Sequence, residues 1–412
     1  MSELIEEIKK CRICGNHDLA PVVDLGLMAP TGIFQKFPNN LPRSKMRLVK
    51  CVEDNGKHCG LLQLADSFTP EYLYGNKYGY RSSLNSSMVG HLAKITSVIE
   101  EKYKPLHDEL IVDIGSNDGA LLRCFDDNYS LLGIDPLGEQ FRKYYRKDIS
   151  LESAFFDAEL LPSKAKIITS IAMFYDLPNP LKFMQDIRDS LALDGVWITE
   201  QSYMPFMVEN CAYDTICHEH FEYYSLRQMK WMADRVGLKI IHIEFNKING
   251  GSFQVHLALK ESDYYEEDTM ALYKLCKLEE LSGYDGVAPY HKFMDRIRYH
   301  KNELMRLIEE INFREDLIIG YGASTKGNVL LQYCGITSEM LPYIADVNTD
   351  KHGSHTPGTS IEIISEEEAH KKKPDYLMVF PWHFKENILE REKKFLSNGG
   401  RMIFPLPNVE VI

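Results

Sequence analysis

The run Val112-Asp113-Ile114-Gly115-Ser116-Asn117-Asp118-Gly119-Ala120-Leu121-Leu122 constrains the fold of this chain more than any other segment. Leu110, Ile111 and Val112 are apolar throughout and read as a short buried strand. Asp113 to Gly119 then form a glycine loop, and the apolar residues that follow predict a helix. Gly115 and Gly119 leave room for backbone to approach a ligand closely. A second strand, Tyr129 to Ile134, ends in an acid, Asp135, where a ribose diol can be received. Asp113, Gly115, Asn117, Gly119 and Asp135 are therefore the expected cofactor-binding residues. The pattern Asp-x-Gly-x-x-x-Gly with a later acid fits a nucleoside cofactor without a pyrophosphate. S-adenosylmethionine is the commonest such cofactor.

A chain of 412 residues exceeds what one hydrophobic core organises, so several domains are expected. The net charge of −13 argues against general nucleic-acid binding. Lys371-Lys372-Lys373 is only a short basic stretch. No apolar run is long enough to span a membrane. Met1 to Lys10 is acidic, helical in pattern and without the apolar core of a signal peptide. A cytoplasmic protein that acts as a monomer is expected.

Four of the nine cysteines, Cys11, Cys14, Cys51 and Cys59, fall near the N-terminus. In a reducing compartment such a group is a metal site before it is a disulfide framework. Cys11-Arg12-Ile13-Cys14-Gly15 is a knuckle that can grip one zinc ion. The second pair is more widely spaced, which leaves His58 as a rival ligand to Cys51. A closed four-ligand site is structural, because it keeps no position open for chemistry.

Five segments follow. Residues 1–65 form the zinc module and 66–104 a connector rich in tyrosine. Residues 105–265 form the cofactor domain, 266–315 a helical bridge, and 316–412 a second, smaller Rossmann-like unit. Strands are expected at Ile167 to Ser170 and at Val196 to Thr199, with Leu193-Asp194-Gly195 as a helix-to-strand turn. Leu238 to Phe245 and Ser252 to Leu259 read as a late hairpin.

In the last unit the loop Gly320-Tyr321-Gly322-Ala323-Ser324-Thr325-Lys326-Gly327 suits a phosphate group. Amides at a helix N-terminus attract anions, two hydroxyls add donors, and Lys326 adds charge. Gly322, Ser324, Lys326 and Asn328 are the expected substrate-binding residues; NAD is the rival ligand.

The densest polar cluster runs from Tyr213 to Ser225 and includes Cys217-His218-Glu219-His220 and Tyr223-Tyr224. A proton-abstracting site needs a base that titrates near neutrality, which histidine provides. A nearby carboxylate can orient the ring. A zinc site at His218 and His220 lacks an obvious third ligand.

Cys11-x2-Cys14-Gly15, the loop at 112–119, Cys217-His-Glu-His-Phe-Glu-Tyr-Tyr-Ser-Leu226, Asn249-Gly-Gly-Ser252 and Gly320-Tyr-Gly-Ala-Ser-Thr-Lys326 occur in that order. Together they make the chain similar to the nucleotide-sugar C-methyltransferases over essentially its whole length. The resemblance implies an α/β protein: an N-terminal zinc module, a central class I methyltransferase domain of Rossmann type and a smaller C-terminal Rossmann-like domain. It implies S-adenosylmethionine and structural zinc as cofactors and a nucleotide-linked 4-ketosugar, typically dTDP-linked, as substrate. It places the general base on His220, supported by Glu219, and a sugar-facing tyrosine on Tyr78 or Tyr80. Tyr223 and Tyr224 are further candidates to stabilise an enolate. Two positions depart from the family pattern. Cys217 stands where tyrosine is frequent, and Ser170-Ile-Ala-Met-Phe-Tyr175 replaces a loop that usually ends in histidine. A sugar O-methyltransferase and a zinc-knuckle RNA methyltransferase are the alternatives.

Overall fold

The computed structural model describes residues 4–37, 41–52, 56–74 and 80–412. Its centre is a seven-stranded sheet in the order Leu238–Asn246, Ser252–Leu259, Leu191–Ser202, Ala165–Ile171, Leu110–Ile114, Ser130–Ile134, Ser150–Glu152. The five strands from Leu191–Ser202 to Ser150–Glu152 pair in parallel. The strand Ser252–Leu259 runs antiparallel to both of its neighbours. Strand order reverses between Leu110–Ile114 and Ala165–Ile171, so the loops after these two strands diverge and open a crevice.

Three local expectations are corrected. Ile5–Glu7 is a strand, not a helix, and pairs antiparallel with Asp66–Phe68. Its alternating charges suit a helix surface, but cross-strand pairing and the Glu7–Arg47 ion pair at 3.0 Å hold it extended. After the first glycine loop the chain makes only the single turn Leu122–Cys124 before returning to start the next strand. No α-helix therefore presents its N-terminus there. Leu193-Asp194-Gly195 lies inside the strand Leu191–Ser202, where the register shifts between Leu191 and Val196. A Cβ at Gly195 would stand 2.6 Å from the Ala165 carbonyl oxygen, so the irregularity needs glycine.

The N-terminal module is a four-stranded antiparallel sheet in the order Glu222–Tyr223, Leu62–Leu64, Ser44–Cys51, Leu19–Met28. Its edge strand, Glu222–Tyr223, comes from the polar cluster, so that cluster is built onto the zinc module. The C-terminal sheet orders Glu362–Ile364, Tyr343–Ala345, Ile318–Tyr321, Tyr376–Val379, Arg401–Phe404, Glu410–Val411 and is parallel except for its last strand. Helices Thr269–Leu281 and Ala288–Phe313 bridge the two larger domains.

The apolar cores cross the segment boundaries. One joins Val23, Met46 and Leu48 of the N-terminal sheet to Tyr213 and Phe293, and on to Ile319 and Val329 of the C-terminal domain. Another joins the zinc cysteines to Phe174, Trp197 and Met229 of the central domain. Burial of these two apolar cores fixes the relative placement of the three modules.

Candidate active site

Cys11, Cys14, Cys51 and Cys59 bring their sulfur atoms within 4.8 Å of one another. The Cys11–Cys59 and Cys14–Cys51 sulfurs are 3.4 and 3.5 Å apart. Four thiolates around zinc at about 2.3 Å stand roughly 3.8 Å apart on the edges of a tetrahedron, so the cluster fits that ion. His58 is not part of the cluster.

Beyond the zinc cluster, one cavity of about 830 Å³ lies where the connector, the central domain and the C-terminal domain meet. That volume is at the upper end for small-molecule sites. Its first end is the strand-loop crevice. Asp113, Gly115, Asn117 and Asp135 all line it. Asp135 is held from both sides: its Oδ1 accepts from the Leu137 amide at 2.7 Å and its Oδ2 from the Asn117 amide at 2.8 Å. Each oxygen keeps a further lone pair for a ligand hydroxyl. Burial raises the Asp113 carboxyl to about 7, opposed by the Thr169 hydroxyl donating at 2.7 Å. Gly115 has φ +72°, and a Cβ there would press on Met173. Leu137, Phe156 and Met173 supply apolar walls for a base. This donor and acceptor set fits S-adenosylmethionine.

Gly119 does not line the cavity; it makes room for the Tyr145 ring, whose hydroxyl donates to the Asn117 carbonyl at 2.8 Å. The Asn117 side chain faces the connector instead. Its Oδ1 accepts from the Ser82 amide at 3.0 Å and its Nδ2 donates to the Tyr80 carbonyl at 3.3 Å. The connector is thus latched across the cofactor crevice, with Tyr80 on the cavity wall. Tyr78 lies outside the described residues.

In the middle of the cavity stand Cys217, Glu219 and His220. The His220 Nδ1 is 2.8 Å from the Thr215 carbonyl oxygen, which assigns the ring proton to Nδ1 and leaves a lone pair on Nε2. Burial, then the charge of Lys326, lowers its pKa to about 3, so the imidazole is neutral. Tyr175 packs on it with ring centroids 4.1 Å apart. Glu219 does not orient the ring. Its Oε2 accepts from the Thr31 hydroxyl at 3.0 Å, while Oε1 is buried without a partner among the described residues. Burial raises its carboxyl above the usual range.

His218 turns away, against Phe68, with both ring nitrogens unpartnered among the described residues. Tyr223 and Tyr224 are buried and absent from the cavity wall; Tyr224 stacks on Phe174 at 5.1 Å. Asp176, absent from the expected set, does line the cavity. Its Oδ1 is buried without a partner among the described residues, and burial raises its carboxyl well above the usual range. Its position directly after the segment Ser170–Tyr175, which departs from the family pattern, was the available signal.

The far end belongs to the C-terminal domain, where Gly322, Ser324 and Lys326 line the wall. Ser324 caps the helix Thr325–Cys334 by accepting from the Gly327 amide at 2.9 Å. Lys326 donates to the Asn249 carbonyl at 2.6 Å, which ties the Asn249-Gly250-Gly251 turn to the loop. Asn328 lies behind the wall and donates to the Thr31 carbonyl at 2.7 Å, joining the N- and C-terminal modules.

These three modules correspond to three family models: a zinc binding domain over residues 11–74, a methyltransferase domain over 93–243, and a C-methyltransferase C-terminal domain over 247–407. The protein is an S-adenosylmethionine-dependent methyltransferase that binds zinc. Over its whole length it is similar to C-methyltransferase NovU of Streptomyces niveus, with 28% identity over 419 residues, covering 100% of this chain and 99% of the relative. An S-adenosylmethionine-dependent methyltransferase from Clostridium acetobutylicum aligns over 42% of this chain and 92% of its own, at 12% identity and TM-score 0.34. The plantazolicin methyltransferase BpumL in complex with SAH aligns over 41% and 82%, at 12% identity and TM-score 0.34. Scores this low carry no part of the assignment. Among the described residues no helix is long and apolar enough to cross a membrane.

Proposed function

We propose that the protein methylates carbon, at C-3, of a nucleotide-linked 4-keto-deoxysugar. The observation that carries this reading is the single cavity joining Asp135 to His220 and to the Gly322–Lys326 loop. A cofactor end, a base and a phosphate-type loop share one space, as a sugar nucleotide and a methyl donor require.

A C–H bond next to a ketone is acidic because its electron pair delocalises onto the carbonyl oxygen. His220 takes that proton on Nε2. Its ring is held by the Thr215 carbonyl and kept neutral by burial. The electron pair moves to the ketone oxygen; burial pushes the Glu219 and Asp176 carboxyls up, and either one, when it holds a proton, donates a hydrogen bond to the enolate. S-adenosylmethionine held at Asp135 would supply a methyl group activated by the sulfonium charge; as the enolate pair forms the new C–CH3 bond, the S–CH3 bond would break with its electrons left on sulfur, giving S-adenosylhomocysteine. His220 then releases its proton to solvent. Lys326 and the hydroxyls of Ser324 and Thr325 hold the diphosphate, which fixes the sugar against His220. The zinc, with four thiolates, takes no part in the step.

The test is mass spectrometry of reactions with S-adenosylmethionine and a panel of nucleotide 4-ketosugars, with NMR of the product. A new C–CH3 signal at C-3 is expected. A methyl ether would instead make the enzyme an O-methyltransferase.

A further inference from the structure

Strand order in the C-terminal sheet reverses at the strand Ile318–Tyr321. On one side the helix Thr325–Cys334 carries the chain to the neighbouring strand Tyr343–Ala345, and on the other side lies Tyr376–Val379; both neighbours pair with it in parallel. The loops that leave Ile318–Tyr321 and Tyr376–Val379 therefore diverge, and the crevice between them is where such a sheet receives a ligand. The first loop carries Ser324, Thr325 and Lys326. The second is Phe380-Pro381-Trp382-His383-Phe384, of which Pro381, His383 and Phe384 line the cavity. The two loops meet closely at their base, where a Cβ on Gly322 would stand 2.6 Å from the Pro381 ring. His383 is set in place by its neighbours. Its ring centroid is 4.3 Å from that of Phe384, and the Trp382 indole donates to Asp214 at 2.8 Å. The His383 Nδ1 is buried without a partner among the described residues. A buried N–H without an acceptor is rarer than a buried acceptor without a donor, so the ring proton belongs on Nε2, the nitrogen left for the cavity. Burial, then the charge of Lys326, lowers the His383 pKa to about 3, so the ring is a neutral donor.

We infer that His383 binds the substrate's diphosphate, donating a hydrogen bond from Nε2 to a phosphate oxygen across the crevice from the loop Gly322–Lys326. The inference rests on the nucleotide-sugar reading and adds the second wall of the diphosphate site. A diphosphate in the crevice meets the glycine loop on one side only, and His383 is the donor that the second loop brings to the other. Lys351 does not take that part. It donates to the Ala323 carbonyl at 2.7 Å and lies 3.7 Å from Asp346, so its charge is already matched by a carboxylate on the side of the first loop. The anchor of the second loop also sets its distance from the base. Asp214, which holds Trp382, directly precedes Thr215, whose carbonyl holds His220. One turn, Tyr213–Thr215, thus fixes both the histidine that takes the proton and the histidine that grips the phosphates. A sugar attached to those phosphates is presented to His220 in one register.

The experiment is titration calorimetry on the full chain saturated with S-adenosylhomocysteine, so that the cofactor end is filled. The probes are dTDP-, UDP-, CDP-, ADP- and GDP-glucose, which carry the diphosphate but no ketone. For the probe that binds best, His383→Leu should lose roughly tenfold or more in affinity, as expected for a hydrogen bond to a charged group. His383→Gln keeps a donor near the Nε2 position and should stay within about threefold of the unsubstituted protein. Affinity for S-adenosylhomocysteine, measured separately, should be the same in all three proteins. Unchanged probe affinity in His383→Leu, an equal loss in both variants, or a parallel loss of S-adenosylhomocysteine binding would overturn the inference. Failure of every probe to bind the unsubstituted protein, with S-adenosylhomocysteine binding normally, would remove the nucleotide-sugar reading itself.

Discussion

Arg12, set between the zinc cysteines Cys11 and Cys14, holds its guanidinium 3.6 Å from the Glu222 carboxylate, two residues beyond His220. Arg12 also donates to the Leu64 carbonyl at 2.6 Å and covers the Phe221 ring at 5.2 Å. The zinc knuckle therefore pins the strand Glu222–Tyr223, which directly follows the loop that carries His220.

Arg12→Met should leave Glu222 buried without its cation. Breaking such a pair costs about 3 to 5 kcal/mol when the orphan stays charged. Burial already pushes the Glu222 carboxyl well up, so it can take a proton and the cost should be nearer about 2 kcal/mol. A double-mutant cycle with Glu222→Gln in urea measures the coupling. Additive losses would show that the pair does not hold the strand.

The metal should be structural. One zinc per chain is expected by elemental analysis, and Cys11→Ser should lower the melting temperature and solubility more than it lowers turnover of the surviving folded protein. A zinc-free preparation with unchanged melting would refute this.

Asp135→Ala should weaken S-adenosylmethionine binding markedly and leave the fold intact. The Leu137 and Asn117 amides lose an acceptor, but both residues line the cavity, which has room for a water in its place. Calorimetry decides the matter, and unchanged affinity would take Asp135 out of the ribose site.

His220→Asn should slow deuterium exchange at the carbon next to the ketone by about a hundredfold to ten-thousandfold while sparing ligand binding. Glu219→Gln should cost less. His218→Asn, whose ring packs on Phe68 away from the cavity, should exchange at nearly the unsubstituted rate. Loss of exchange in His218→Asn with full exchange in His220→Asn would reverse the assignment.

The pH dependence follows from the His220 pKa of about 3, against an ordinary value of about 6.5. Between these values the unfolded chain binds a proton that the folded chain does not. This residue therefore lowers stability progressively as pH falls from 6.5, and has no such effect above it. His220→Asn should gain stability relative to the unsubstituted protein on going from pH 8 to pH 5, on the order of 1 to 2 kcal/mol. Exchange catalysed by His220 should likewise persist below pH 6. An acid limb centred on 6.5 would mean that the ring is solvated in the working complex.

The legible parts of the site are those written in a few adjacent residues. Asp113 to Gly119, the Cys11–Cys14 knuckle and Gly320 to Gly327 each carry their geometry locally, because a tight turn needs glycine and a bidentate metal grip needs close cysteines. The strand-tip acid Asp135 was legible for the same reason. The single turn at Leu122–Cys124 was not, since an apolar run is helical in pattern whether or not the chain has room for a helix. Nor was the strand at Ile5–Glu7, whose partner Asp66–Phe68 lies far along the chain.

Local pattern alone pointed to the cofactor loop, the metal knuckle and the second glycine loop, and the order of motifs pointed to the C-methyltransferases. Tertiary structure decided what those pieces do for one another. It turned His220 into the cavity and His218 away, and set Asn117 against the connector and Asn328 against Thr31. It also brought Asp176 and Asp346 to the same space as Asp135. The reason is physical. A turn or a knuckle is stabilised by residues within a few positions of one another. Burial, by contrast, is a property of surfaces that meet only after the apolar cores of all three modules have closed, and burial selects which polar groups face the ligand and shifts their proton affinities.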